Sequence, residues 1–169
     1  GIQKRGVDPR VKPEDDNDFK SHVITSQTEN HEVLHTIQEL EKEGKIEATY
    51  LKPDENGVTS AESVQDAIKD STVLVSIMYV NNETGVIAPI KEIGSLLSTV
   101  NSNRLTNKSA KRIYFHTDAV QAAEWLPMDV EKLGVDLLTF TAHKIHGPKG
   151  IGVLYIKNGT PIKPEITGG

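Results

Sequence analysis

The chain has 169 residues, a quarter of them charged, a formal net charge of −5 and no cysteine. That length is one domain's worth of chain with a real core. The acidic balance and scattered basic residues argue against nucleic-acid binding, and no apolar run approaches the roughly 20 residues of a membrane span. Without cysteine there are no disulfides, no thiolate-bound zinc or iron–sulfur cluster, and no thiol nucleophile within these residues. The first twenty residues lack a signal peptide's apolar stretch, and the chain is read as cytoplasmic.

Residues 1–20 are polar, contain two prolines and a short acidic run, and follow neither helical nor strand periodicity. They are expected to form an irregular lead-in, with a single domain over 21–169. A short strand is predicted at 22–25. A helix follows at 29–43, where Val33, Leu34, Ile37 and Leu40 recur at helical spacing and Gly44 stops it. Residues 46–51 read as a strand and 53–57 as its turn. Thr59 and Glu62 form a capping-box pair for a helix reaching about residue 69.

The apolar run 73–79 predicts a strand buried on both faces. A helix is expected over 89–100, with Pro89 in its first turn, then a surface loop or extended helix tail over 101–112. Strands follow at 113–117 and 136–141, with a short helix at 130–134 between them. A tight turn at 147–150 leads into a last strand at 152–156. Strands alternating with helices give an α/β fold with a mostly parallel sheet and flanking helices.

In such sheets ligands bind beyond the carboxyl ends of the strands. Three segments place polar residues there: Asn81-Asn82-Glu83-Thr84-Gly85, His116-Thr117-Asp118-Ala119-Val120-Gln121 and Thr141-Ala142-His143-Lys144. A lysine and an aspartate at such ends suit pyridoxal 5'-phosphate (PLP), which needs an amine for its aldehyde and a carboxylate for its ring nitrogen. Lys144 fits the first need and Asp118 the second, and partial burial of Lys144 is expected to favour its neutral amine. The competing structural reading makes Asp118 a turn cap and Lys144 a solvated cation. A metal reading uses His116, Asp118, His143 and His146. It is set aside, because an H-E-x-x-H hydrolase motif is taken to be absent. His22, His31 and His35 are read as surface or packing histidines.

Three ordered stretches, Val75-Ser-Ile-Met-Tyr-Val-Asn-Asn-Glu-Thr-Gly85, Phe115-His-Thr-Asp-Ala-Val-Gln121 and Ala142-His-Lys-Ile-His-Gly-Pro-Lys-Gly-Ile-Gly152, resemble the cysteine desulfurases. These are class V, fold-type I PLP enzymes. The resemblance runs from about His22 to Gly169 and implies the central part of the large PLP-binding domain. It implies Lys144 as the residue that holds the cofactor covalently and then serves as acid and base. It implies Asp118 on the ring nitrogen, Gln121 on the ring hydroxyl, Asn82 on cofactor or substrate carboxylate, and Thr141 and His143 at the phosphate. The substrate implied is L-cysteine or a related amino acid, and the setting is iron–sulfur or thio-cofactor assembly. A homodimer or a complementing chain is also implied.

The family's ring-stacking histidine falls at Asn30 or His31. Its phosphate loop lies upstream of these residues, and its sulfur-accepting cysteine and substrate-binding arginine lie downstream. The chain has no cysteine and no arginine after Arg112, so complete sulfur transfer is not expected of it alone. Another class V activity, such as an aminotransferase or selenocysteine lyase, and a non-catalytic remnant or interaction subunit, are the alternatives.

Overall fold

A computed structural model describes residues 20–106 and 111–164. The expected lead-in at 1–20, all but Lys20, and the middle of the 101–112 segment lie outside the described residues. Six strands and four α-helices follow the predicted alternation: β1 (Ser21–Ser26), α1 (His31–Lys42), β2 (Ile46–Leu51), α2 (Ala61–Ala67), β3 (Thr72–Ser76), α3 (Ile90–Thr106), β4 (Tyr114–Asp118), α4 (Val130–Leu133), β5 (Leu137–Thr141) and β6 (Gly152–Ile156). One sheet runs in the order β2-β1-β3-β4-β5-β6. Every neighbouring pair is parallel except β5 and β6. No helix among the described residues is long and apolar enough to cross a membrane.

Alternation of side chains along each strand sorts the two faces of the sheet. Ile24, Val75, Phe115 and Leu138 point to one side and are almost fully buried in a cluster with Val64 of α2, Ile93 and Leu97 of α3 and Leu133 of α4. Their neighbours along the strands, Val23, Leu74, Ser76, His116, Asp118 and Thr139, line a cleft on the other side. Fully burying each large aliphatic or aromatic side chain of the cluster contributes about 1.5–3 kcal/mol. That face therefore holds the sheet rigid beneath the cleft.

The local signals explain most boundaries. Helix α1 ends in a Schellman arrangement: Gly44, at φ 73°, donates to Glu41 and Lys45 donates to Leu40, both at 2.9 Å. The turn before α2 is held by Asp54, whose Oδ1 accepts from the amides of Asn56 and Val58. Two expectations shift. The cap of α2 is Ser60, which accepts from the amide of Ser63 at 3.1 Å, while Thr59 turns inward to Ser26 at 2.9 Å. And α3 continues to Thr106, the helix-tail alternative for the segment after residue 100.

Gly94 sets how closely α3 approaches α4. A methyl group on it would stand 2.1 Å from the carbonyl oxygen of Leu133 and 3.1 Å from the Cα of Gly134. Alanine ordinarily stabilises a helix interior by up to about 1 kcal/mol, but here the clash is with backbone and cannot be relieved by a rotamer change. Gly94→Ala should lower unfolding free energy by about 2 kcal/mol, read from the urea midpoint; an unchanged or higher midpoint would refute the close approach.

Candidate functional site

The cleft has a volume of about 780 Å³, within the range of small-molecule sites. It opens where β3, β4 and β5 end and α1 stands over the sheet. Asn82, Asp118, Gln121, Thr141, His143 and Lys144 all line it. The structure thus gathers the six residues singled out from the sequence, although 62 positions separate the first from the last.

Each reaches the cleft for a local reason. β4 extends to Asp118, so His116 and Asp118, two positions apart, share one face. Asp118 is 8% exposed, and its Oδ1 accepts from the amide of Val120 at 2.8 Å. The capping role is therefore real, but it occupies only one oxygen, and among the described residues no lysine or arginine pairs with the carboxylate. Burial pushes its pKa above the ordinary aspartate value, against the Val120 hydrogen bond, with Glu32 adding to the rise. The Gln121 side chain follows from the turn after β4.

After β5 a 3₁₀ turn, Ala142–Ile145, carries His143 and Lys144. Thr141 Oγ1 lies 2.8 Å from His143 Nδ1 and donates to the carbonyl of Ile151 at 3.1 Å. Lys144 is exposed, contrary to the partial burial expected. The turn carries it beyond the end of β5. Asn82 sits on the loop after β3, beside Asn81, whose Oδ1 accepts from the amides of Glu83 and Thr84.

Beneath these residues lies His116. Its Nδ1 is 2.8 Å from Ser76 Oγ on β3 and its Nε2 is 3.3 Å from Thr139 Oγ1 on β5. The ring spans three strands, and desolvation pushes its pKa down to about 4, so it is neutral at pH 7. His22 repeats the device on β1, between Thr49 and Thr72 at 2.8 Å each. It is a packing histidine, as expected.

The metal ligands considered above do not form a set. His146 turns to Glu124 at 2.8 Å and does not line the cleft. No group of three or more His, Cys, Asp or Glu residues poised for a metal occurs among the described residues. The sequence does, however, contain His31-Glu32-Val33-Leu34-His35, which satisfies the H-E-x-x-H pattern taken above to be absent. In a zinc hydrolase of this pattern the two imidazoles bind the metal from one helix face, a third protein ligand completes the set, and the glutamate acts as general base. On α1 the two rings stack with centroids 5.4 Å apart and are exposed, whereas Glu32 borders the cleft and they do not. No third ligand joins the two imidazoles among the described residues, so the pattern brings no metal set with it. Asn30 lines the cleft, whereas His31 does not.

One residue of consequence is not foreseen from the sequence. The helix predicted over 29–43 has Glu29 as its first residue. Instead α1 starts at His31, capped by Asn30 through the amide of Glu32 at 3.3 Å, and Glu29 turns inward to 5% exposure. Its Oε1 accepts from the amide of Met78 at 2.7 Å.

The match to the class-V aminotransferase pattern covers residues 14–169. The chain belongs to the class-V aminotransferase family. It is 51% identical over 149 residues to a cysteine desulfurase IscS of Clostridium botulinum, covering 88% of this chain and 34% of that protein. It is 47% identical over 152 residues to a cysteine desulfurase IscS of Methanosarcina thermophila, covering 90% and 35%. A solved structure described as SspA in complex with cysteine superimposes with a TM-score of 0.79 at 39% identity, over 89% of this chain and 40% of that one. A NIFS-like protein gives 0.75 at 39% identity, over 89% and 38%. The chain spans about a third of the length of the curated relatives it matches.

The depressed pKa of His116 couples its protonation to folding. Its folded value lies below the unfolded value of about 6.5, so protonation favours the unfolded chain. Stability contributed by the neutral ring is present above about pH 6.5 and is lost as pH falls towards 4. His116→Gln should reduce the loss of thermal stability between pH 7 and 4.5; parallel pH profiles for variant and parent would contradict the buried neutral ring.

Proposed function

We propose that the cleft is a PLP site of the cysteine desulfurase type, with L-cysteine as the substrate class. The observation that carries this is the buried carboxylate of Asp118, which no lysine or arginine pairs among the described residues, at the wall of a cleft that also holds Lys144. A protonated ring nitrogen would supply the missing positive charge, so the residues present fit the group. The half-identity with cysteine desulfurases over most of the chain supports the same reading.

In this reading PLP supplies an electron sink that acidifies the carbon next to the substrate amine. Lys144 holds the cofactor aldehyde through Nζ and, once displaced by substrate, takes and returns a proton at that carbon. Asp118 keeps the ring nitrogen protonated. Gln121 is assigned to the ring hydroxyl, Asn82 to cofactor or substrate carboxylate, and Thr141 with His143 to the phosphate. Desulfuration breaks the C–S bond of cysteine, releases alanine and passes sulfur to a thiolate. These 169 residues contain no thiol, so in this reading the acceptor is supplied from outside them. Homodimerisation or a complementing chain and a cytoplasmic setting belong to the same proposal.

The test is to incubate the purified chain with PLP, reduce with borohydride and locate the label by mass spectrometry, with Lys144→Ala alongside. Selective label on Lys144 is expected; scattered label, or equal label in the Lys144→Ala chain, would sink the assignment. A second expectation concerns charge: Asp118→Asn should weaken PLP binding about tenfold, the size of a lost charge-assisted hydrogen bond, as measured by the cofactor's absorbance on titration. Affinity within twofold of the parent would remove Asp118 from its role.

A further inference from the structure

We infer that Glu29 is the positioning residue of the cleft: as a neutral, protonated carboxyl it fastens the segment bearing Asn30 to the segment bearing Asn82 through the amide of Met78. The inference rests on the cofactor reading for its ligand, but its structural half stands apart from that reading.

Glu29 lies immediately before Asn30, the residue that both caps α1 and lines the cleft. Its Oε1 holds the amide of Met78 at 2.7 Å. The next amide along, that of Tyr79, donates to the carbonyl of Asp118 at 2.8 Å. Asn81 then donates from Nδ2 to the carbonyl of Thr28 at 2.8 Å and turns the chain into Asn82. Glu29 and Asn81 thus tie the same two loops from opposite directions. Within this short span three of the cleft's walls, those at Asn30, Asn82 and Asp118, share one hydrogen-bonded frame. No other side chain bonds the Met78 amide, so this link depends on Glu29 alone among the described residues.

The surroundings decide the charge state. Glu29 borders a cavity of about 20 Å³, whose other lining residues are Ser26, Thr28, Gly57, Thr59, Ile77, Met78, Asn81, Val86 and Ala88. None of them is charged. Its Oε2 is buried and has no hydrogen-bond partner. A carboxylate there would be unpaired and nearly dry, a costly state that a group escapes by keeping its proton. Asp118 is the ionisable neighbour that acts on it, and its negative charge disfavours ionisation of Glu29 further. Burial, the largest cause, pushes the Glu29 pKa up to about 8. Its folded value lies above its unfolded one, so the proton's contribution to stability is full below about pH 4.5 and is lost as pH rises through about 8.

Two variants separate the parts of this inference. Glu29→Gln reproduces the neutral carboxyl in shape and keeps the acceptor for Met78, whereas Glu29→Leu keeps bulk and loses the acceptor. Hydrogen exchange over residues 77–82 and PLP affinity are measured on the full chain at pH 7 and pH 9. The Leu variant should exchange about tenfold faster over 77–82 and bind PLP several-fold more weakly, and the Gln variant should restore both. From pH 7 to pH 9 the parent should lose protection over 77–82 and the Gln variant should not. Unchanged exchange in the Leu variant, a Gln variant that behaves like Leu, or identical pH responses of parent and Gln variant would each overturn the inference. If PLP binds none of the chains, the cofactor reading fails, and the exchange data still decide the role of Glu29.

Discussion

The period-two alternation of β4 governs the rest of the molecule. Phe115 and Thr117 go into the core with α3 and α4, while His116 and Asp118 go to the cleft. A one-residue slip in register would bury the carboxylate in hydrocarbon and expose Phe115. The slip is opposed from both sides: Ser76 and Thr139 grip the two nitrogens of His116, and Asp136, itself paired with Arg112, holds the amide of Phe115 at 3.0 Å. Polar clamps at two consecutive residues thus fix the strand that positions Asp118.

Asp118 and Glu29 are both buried carboxyls; burial raises the cost of ionising each, with Asp118 adding to it for Glu29 and Glu32 adding to it for Asp118. The structure treats them differently. Glu29 is closed in by uncharged residues around a cavity the size of a single water, where the proton stays. Asp118 faces a cleft wide enough for a ligand, where an incoming cation can stabilise the charged form. In the proposed reading one carboxyl serves as scaffold and the other as recognition group, a division set by what each faces rather than by residue type.

Much of this was legible in the sequence. Alternating strands and helices gave the parallel sheet, the continuous apolar run marked β3, and polar residues at three strand ends located the cleft before any geometry was known. Signals carried by the chain's local chemistry, such as Gly44 and the Asp54 turn, held to the residue. What was not legible depended on side-chain direction. Thr59 and Ser60 are both good caps, and only the pull of Ser26 on Thr59 decides between them. Glu29 reads as the first residue of a helix because sequence spacing does not show that Asn30 takes the cap and that the preceding side chain is buried. Lys144 reads as half-buried because the 3₁₀ turn that lifts it off the sheet leaves no periodic trace in four residues. The His31 and His35 pair satisfies a metal-hydrolase pattern, and only the three-dimensional surroundings, which bring no third ligand to it among the described residues, empty the pattern of that meaning.

The most direct test of the account is an amide-resolved NMR titration of the chain with PLP at pH 7. Shifts confined to the cleft amides, at Asn82, Val120, Gln121, His143 and Lys144, are the result the structure predicts. Saturable shifts elsewhere, for instance around the apolar hollow bounded by Val73, Tyr114 and Leu137 at the opposite end of the strands, would contradict it.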